Sequence, residues 1–224
     1  MILLVMTDGR GHYLRETLKS LDEQVTAPFS YRVIHDDSQN PEYRDYLNRF
    51  YPDYEVLSPS TKCGFGGSIQ SAWTHLRGIS GEFVFHLEDD FTFNEPINLS
   101  HLAHILSHHE YLVQLALRRQ AWNDAEVAAG GLIELNPRAY EDHTDGLFDW
   151  LEHRLFFTTN PSVYRRELCY SDWPSGQHSE GVFTHHLLED PNLKFGFWGT
   201  RDSSPSVNHI GAVRTGEEIG RAHV

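Results

Sequence analysis

Along the first half of the chain, short apolar runs alternate with helical spacings. Ile2–Met6 is continuously apolar and stops at Thr7-Asp8-Gly9, the pattern of a buried strand with a polar turn at its carboxyl end. Apolar residues at 14, 18 and 21 make Tyr13–Leu21 a helix. Tyr31–Ile34 reads as a second strand, ended by His35-Asp36-Asp37-Ser38. Pro41 suits the first turn of a helix running towards Phe50. Tyr54–Leu57 is a third strand, and Gly64-Phe65-Gly66-Gly67 opens a helix from Ser68 to about Arg77. Phe83–Leu87 is a fourth strand, ended by Glu88-Asp89-Asp90.

Strand and helix in this rhythm predict an α/β fold, a mostly parallel sheet with helices on both faces. Ligands bind outside the carboxyl ends of such strands. Asp8, Asp36, Asp37 and the trio Glu88–Asp90 all stand at those ends, so they are expected in one crevice. The second half is less regular. Leu99–Leu106 and Val182–Leu188 read as helices; Tyr111–Leu117, Leu155–Thr159, Phe195–Trp198 and Ser206–Ile210 read as strands. Gly130–Gly146 is rich in turn formers and is expected to be a mobile or acceptor-facing loop.

A length of 224 residues allows one well-buried domain, taken as 1–218 with a nucleotide-binding half over about 1–93 and an acceptor half over about 94–218. Residues 219–224, Ile-Gly-Arg-Ala-His-Val, follow no fold logic and match one reading frame of a sequencing-adapter oligonucleotide; they are read as a non-native tail. Hydrophobic residues make up 39% of the chain, too many for disorder. The apolar runs are far shorter than the roughly 20 residues that cross a bilayer. With no leader pattern and two cysteines that offer no disulfide framework, the expected location is cytoplasmic. The net charge of −14 disfavours nucleic acid and anionic membrane as partners. Fifteen histidines include His104 and His108 at helical spacing, but no HExxH accompanies them, which argues against a dedicated zinc site.

Glu88-Asp89-Asp90 is the strongest chemical feature. Three adjacent acids repel one another unless a cation is present, and Mg²⁺ or Mn²⁺ prefers carboxylate oxygen together with substrate phosphates. Asp36 and Asp37 suit a uracil-like base or ribose hydroxyls; Asp37 or Ser38 equally suits a helix N-cap ahead of Pro41. Gly64–Ser68 allows close backbone approach to an anion at a helix start, or serves a plain turn. Glu180, bordered by Gly176 and Gly181 at a helix start, is either a general base or a residue stabilising the helix dipole; Asp172 is its nearest rival. His209 is a candidate metal or phosphate ligand, or a packed histidine.

In order and spacing these segments resemble the GT-A glycosyltransferase superfamily, specifically its family-2-like members. Leu3–Arg10 followed by Tyr13–Leu21 resembles their first strand and helix, and Asp36-Asp37-Ser38 their nucleoside-binding acids. Glu88-Asp89-Asp90 resembles the DxD motif with Glu in first place. Ser179-Glu180-Gly181 stands where they keep an xED-type acid, and His209 where they keep a C-terminal metal-binding histidine. The compact size resembles short bacterial and bacteriophage members. The resemblance implies a nucleotide-sugar donor, preferably a UDP-sugar, and a hydroxyl acceptor of unassigned kind. Thr7, Asp8, Arg10, Asp36, Asp37, Gly66, Gly67, Glu88 and Asp89 would bind the donor. Asp90 and His209 would hold Mn²⁺ or Mg²⁺, and Glu180 would be the base of an inverting transfer. The acceptor is expected near Trp122, Gly130–Gly146 and Trp173. Two other readings compete: a nucleotidyltransferase on a sugar phosphate, which would want a basic glycine-rich loop after the first strand, and an inactive sugar-nucleotide or glycan-binding module.

Overall fold

Ile2, Leu3, Leu4 and Val5 are all buried because β1 (Ile2–Thr7) lies between two cores. Leu3 and Val5 face one core, Ile2 and Leu4 the other. The computed structural model describes residues 1–176 and 178–211, and the backbone of two short strands, Val213–Arg214 and Glu217–Glu218. The proposed foreign tail, Ile219–Val224, lies outside the described residues.

After β1 the chain forms α1 (Gly11–Gln24), β2 (Val25–Thr26), β3 (Tyr31–Asp36), α2 (Pro41–Phe50), β4 (Glu55–Leu57), α3 (Gly64–Leu76) and β5 (Phe83–Glu88). Then follow β6 (Phe91–Phe93), β7 (Ile97–Asn98), α4 (Leu99–His108), β8 (Leu112–Ala116), α5 (Asp124–Ala129) and α6 (Leu132–Leu135). The last elements are β9 (Tyr140–Thr144), β10 (Asp149–His153), β11 (Ser162–Arg165), α7 (Ser179–Leu188), β12 (Lys194–Trp198) and β13 (Val207–His209).

Nine strands form the main sheet in the order β4-β3-β1-β5-β11-β8-β12-β10-β9. Seven run in one direction, and β10 and β11 run against them. Helices cover both faces: α1, α2 and α4 pack Leu14, Leu18, Leu47 and Leu102 into the first core, while α3 and α7 pack Ile69, Trp73 and Phe183 into the second. The chain leaves β1 towards β3 on one side and returns to β5 on the other. That reversal opens a crevice at the carboxyl ends of these strands.

Three expectations need correction. Leu155–Thr159 is not a strand; β10 and β11 flank it. Its backbone N–H groups are satisfied by side chains rather than by a ladder: Phe157 N–H donates to Thr184 Oγ1 (2.9 Å), Thr158 N–H to Gln114 Oε1 (3.0 Å) and Thr159 N–H to Glu180 Oε1 (2.7 Å). Gly130–Gly146 is not one irregular loop, since it contains α6 and the outermost strand β9. Finally, the cap of α2 is neither Asp37 nor Ser38. Asn40 takes that place, accepting from Glu42 and Tyr43 N–H at 3.0 and 3.3 Å.

Candidate active site

Where β1, β3 and β5 end, a cavity of about 240 Å³ opens. Thr7, Asp8, Asp37 and Glu88 line it from the strand ends, Gly64 and Phe65 from the start of α3. Two basic side chains, Arg10 and Lys62, complete the wall, and Lys62 is held by both oxygens of Asp8 at 3.0 Å. Thr7, Asp8, Arg10, Asp37 and Glu88 thus stand together as the sequence places them.

The acidic trio divides its labour. Glu88 is half-buried on the cavity wall; burial, then the charges of Asp90 and Glu180, push its carboxyl up to about 8. Asp89 turns the other way and is fully shielded. Its Oδ2 accepts from Thr7 Oγ1 at 2.6 Å, its carbonyl from Thr17 Oγ1 at 2.7 Å, and its Oδ1 is paired with Arg10. Asp89 is not among the described cavity-lining residues; it bonds to two that are, Thr7 and Arg10. Burial pushes its carboxyl up to about 6, against the pull of Arg10.

Asp90 meets His209 through strand pairing. The antiparallel pair β6–β13 sets His209 opposite Phe91, and Ile210 N–H donates to the Asp90 carbonyl at 2.8 Å. His209 Nε2 lies 3.4 Å from Asp90 Oδ2. Gln120 fixes the His209 backbone on both sides, donating to its carbonyl and accepting its N–H at 2.9 Å each, and Trp122 stands edge-on to the imidazole with centroids 4.1 Å apart. Burial alone would raise the Asp90 carboxyl; the hydrogen bond with His209 and the charge of Arg10 outweigh it and hold the group below the ordinary carboxylate value. Asp90 Oδ1 is buried without a partner among the described residues. A carboxylate with one unpartnered oxygen, and with the other facing an imidazole, suits a hard divalent cation that takes its remaining ligands from phosphate.

The segment after His209 adds a steric constraint. A Cβ at Gly211 would collide with Asp90 Oδ2. Gly211→Ala is therefore expected to displace the carboxylate and weaken Mn²⁺ binding by about 10–100-fold, the usual range for disturbing a ligand's support. Titration with Mn²⁺ checks this, and unchanged affinity would mean that the strand end yields freely.

Glu180, near the start of α7, is half-buried. Thr159 anchors its Oε1 by its N–H at 2.7 Å and its hydroxyl at 3.3 Å. Burial raises its carboxyl, with the Thr159 bonds opposing. Glu180 is near enough to Glu88 for its charge to act there. Its rival Asp172 is an exposed partner of Arg77 at 3.3 Å.

Several candidates have structural engagements of their own, on the cavity wall or away from it. Asp37 spends both oxygens on the start of α3, accepting from Cys63 and Gly64 N–H at 2.7 Å each. Asp37→Ala is thus expected to cost about 1–3 kcal/mol of stability through two lost charge-assisted bonds, read as a lower urea midpoint; an unchanged midpoint would leave the carboxylate free for a ligand. Asp36 closes a turn onto Ser38 N–H at 2.9 Å, and with Gly66 and Gly67 it is not among the described cavity-lining residues. Gly66 serves packing: a Cβ there would lie 2.8 Å from the Pro174 carbonyl. Trp173 is buried against Trp73 and Phe183, so it does not face an acceptor. Lys62, Thr159 and Gln120 carry no sequence signal that marks them for these roles.

A second group of ligand-type side chains, Glu141, His143 and Glu152, brings its ligand atoms within 4.8 Å of one another at the far edge of the sheet. Lys194 already fills it, donating to Glu141 at 3.0 Å and Glu152 at 2.8 Å.

No family model matches the sequence, and no curated protein matches it at the sequence level. Solved structures do match. Residues 1–349 of S. aureus TarS in complex with UDP-GlcNAc superimpose with a TM-score of 0.64 at 20% identity, over 100% of this chain and 61% of that one. The chain has the GT-A fold. The mannosyltransferase PcManGT from Pyrobaculum calidifontis, in complex with GDP-Man and Mn²⁺, gives 0.59 at 14% identity, over 89% of this chain and 54% of that one. GalNAc-T7 with UDP, GalNAc and Mn²⁺ gives 0.65 at 11% identity, over 93% and 43%. The chain therefore spans about three fifths of the TarS fragment and less of the other two. No helix among the described residues is long and apolar enough to cross a membrane.

Proposed function

We propose that this chain is a metal-dependent, family-2-like glycosyltransferase. It moves a sugar from a nucleoside-diphosphate donor, UDP-sugars first and GDP-sugars second, to a hydroxyl acceptor with inversion. What supports this reading is the junction of β13 on β6, which sets His209 3.4 Å from Asp90, the residue two on from cavity-lining Glu88. Bound GDP-Man with Mn²⁺, and UDP with Mn²⁺, in two proteins of the same fold agrees with that chemistry.

In this reading Asp90 and His209 hold the cation against the donor's diphosphate. Bound there, Mn²⁺ or Mg²⁺ stabilises the charge on the leaving diphosphate. Thr7 and Asp8 face the nucleoside, and Glu88 takes a ribose hydroxyl. Asp89 steadies Thr7. Glu180, held by Thr159, accepts the proton of the acceptor hydroxyl. One base on the acceptor side, with Glu88 given to the ribose, fits inversion.

A panel of UDP- and GDP-sugars with Mn²⁺, scored for nucleoside diphosphate, tests the reading. Release of UDP or GDP is expected. Pyrophosphate released from a nucleoside triphosphate and a sugar phosphate would support a nucleotidyltransferase instead. Tight donor binding with no product in any acceptor screen would support a binding module.

A further inference from the structure

We infer that Arg10 is a resident counter-ion of the acidic site, released from it by the donor's diphosphate, so that donor and divalent ion bind as a coupled pair. The inference rests on the glycosyltransferase reading above and adds to it an order among the charges.

Arg10 grips both acids at once. Its Nη1 donates to Asp90 Oδ2 at 2.6 Å, and its Nη2 is paired with Asp89 Oδ1. The guanidinium side chain is only 13% exposed, so water screens these pairs little. The Asp90 oxygen that Arg10 holds is the same one that lies 3.4 Å from His209. A divalent ion bound between Asp90 and His209 would therefore meet a fixed positive charge as its neighbour. Like charges at that range oppose binding strongly in a shielded site. The ion binds well only once the guanidinium has somewhere else to go.

The cavity supplies that place. Arg10 lines it while also reaching back to Asp89 and Asp90. Its planar fork matches phosphate oxygens as well as it matches carboxylates, in bidentate fashion. The other basic side chain on the wall, Lys62, is likewise held by an acid of this chain, Asp8. Without a ligand, then, both cavity cations are engaged internally. A diphosphate competes for Arg10; as Arg10 turns to it, Asp90 Oδ2, the oxygen facing His209, becomes free for an ion that would also meet the diphosphate. Each ligand thereby raises the affinity of the other, as linkage requires. The Glu141, His143 and Glu152 cluster provides a contrast: Lys194 neutralises it similarly, but none of these residues lines the cavity, so no phosphate draws that lysine away.

Mn²⁺ titrations followed by the EPR signal of the free ion test this, with and without UDP and corrected for the Mn²⁺ that UDP binds in solution. In the unaltered chain UDP is expected to tighten Mn²⁺ binding by about 5–150-fold, the usual range of coupling between sites. Arg10→Gln should bind Mn²⁺ alone more tightly by a similar factor and lose most of the UDP effect. Arg10→Lys, with one charge but no fork, should fall between. Adding Asp90→Asn to Arg10→Gln should remove the gain, which ties it to this site. If Arg10→Gln binds Mn²⁺ alone no better than the unaltered chain, while the latter binds Mn²⁺ with UDP, the inference falls and the proposed function stands. If the unaltered chain binds no Mn²⁺ with UDP or GDP, both fall. Thermal unfolding guards against a misfolded variant: Mn²⁺ alone should raise the melting temperature of Arg10→Gln more than that of the unaltered chain, and an equal rise would again overturn the inference. Should Arg10→Gln not fold, Arg10→Lys carries the same comparison.

Discussion

Asp90→Asn is expected to abolish Mn²⁺-supported transfer in a chain that still folds. Asparagine keeps the shape of the side chain and one acceptor oxygen but loses the charge a hard cation requires. The proposed ion supplies several kcal/mol of leaving-group stabilisation, which corresponds to a rate loss on the order of 10³ or more. Folding should survive, because Arg10 keeps its pair with Asp89 and the β6–β13 ladder is made by backbone groups. His209→Ala should act in the same direction, since it removes the other side chain at the ion's position. Turnover in saturating Mn²⁺ and in EDTA, with circular dichroism as the control for folding, provides the measurement. Full activity of the unaltered chain in excess EDTA would remove the metal from the mechanism, and a normally active Asp90→Asn variant would move it elsewhere.

How far the sequence reveals this site depends on which half of the sheet is read. β1 and most of β3 and β5 are buried on both faces, so they appear as short, largely apolar runs broken only by Arg32, His35 and His86, and their polar ends mark the crevice directly. β10 hides itself. Its Glu152 looks like a surface residue, yet it is buried, offset by Lys194 at 2.8 Å, His143 at 3.2 Å, Tyr111 at 2.7 Å and Trp150 at 3.0 Å. The apolar run Leu155–Thr159 misleads in the opposite direction, because its burial comes from Phe157 packing in the second core and not from pairing. Asp37 was legible as a residue of the crevice but not as the cap of α3, since the groups it binds, Cys63 and Gly64, lie on another element. His209 is legible as a candidate ligand or a packed histidine, but nothing in its neighbours announces the pairing of β13 with β6 that sets it beside Asp90. Arg10 was legible as a residue of the crevice; its grip on Asp89 and Asp90 needed the turn after β1 in three dimensions.

Glu180→Gln is expected to preserve donor binding and lower turnover by about 10²–10⁴, the weight general-base catalysis usually carries. Glutamine retains an oxygen for the Thr159 N–H, so α7 and the Leu155–Thr159 segment should stay in place. What it loses is the ability to take a proton. The pH profile provides a second, independent reading. Burial raises the Glu180 carboxyl above the ordinary glutamate value, and the base works only when ionised. Transfer by the unaltered chain should therefore be slow at low pH and rise through a value above that ordinary range. In the Gln variant this limb should disappear. Glu88, which burial and then the charges of Asp90 and Glu180 push up to about 8, should titrate lower once the Glu180 charge is gone. Stereochemistry closes the argument: a single base on the acceptor side gives a product of inverted anomeric configuration. Retention of the donor's configuration, or a Gln variant with normal turnover, would leave Glu180 with no part in the chemistry and only its hold on Thr159.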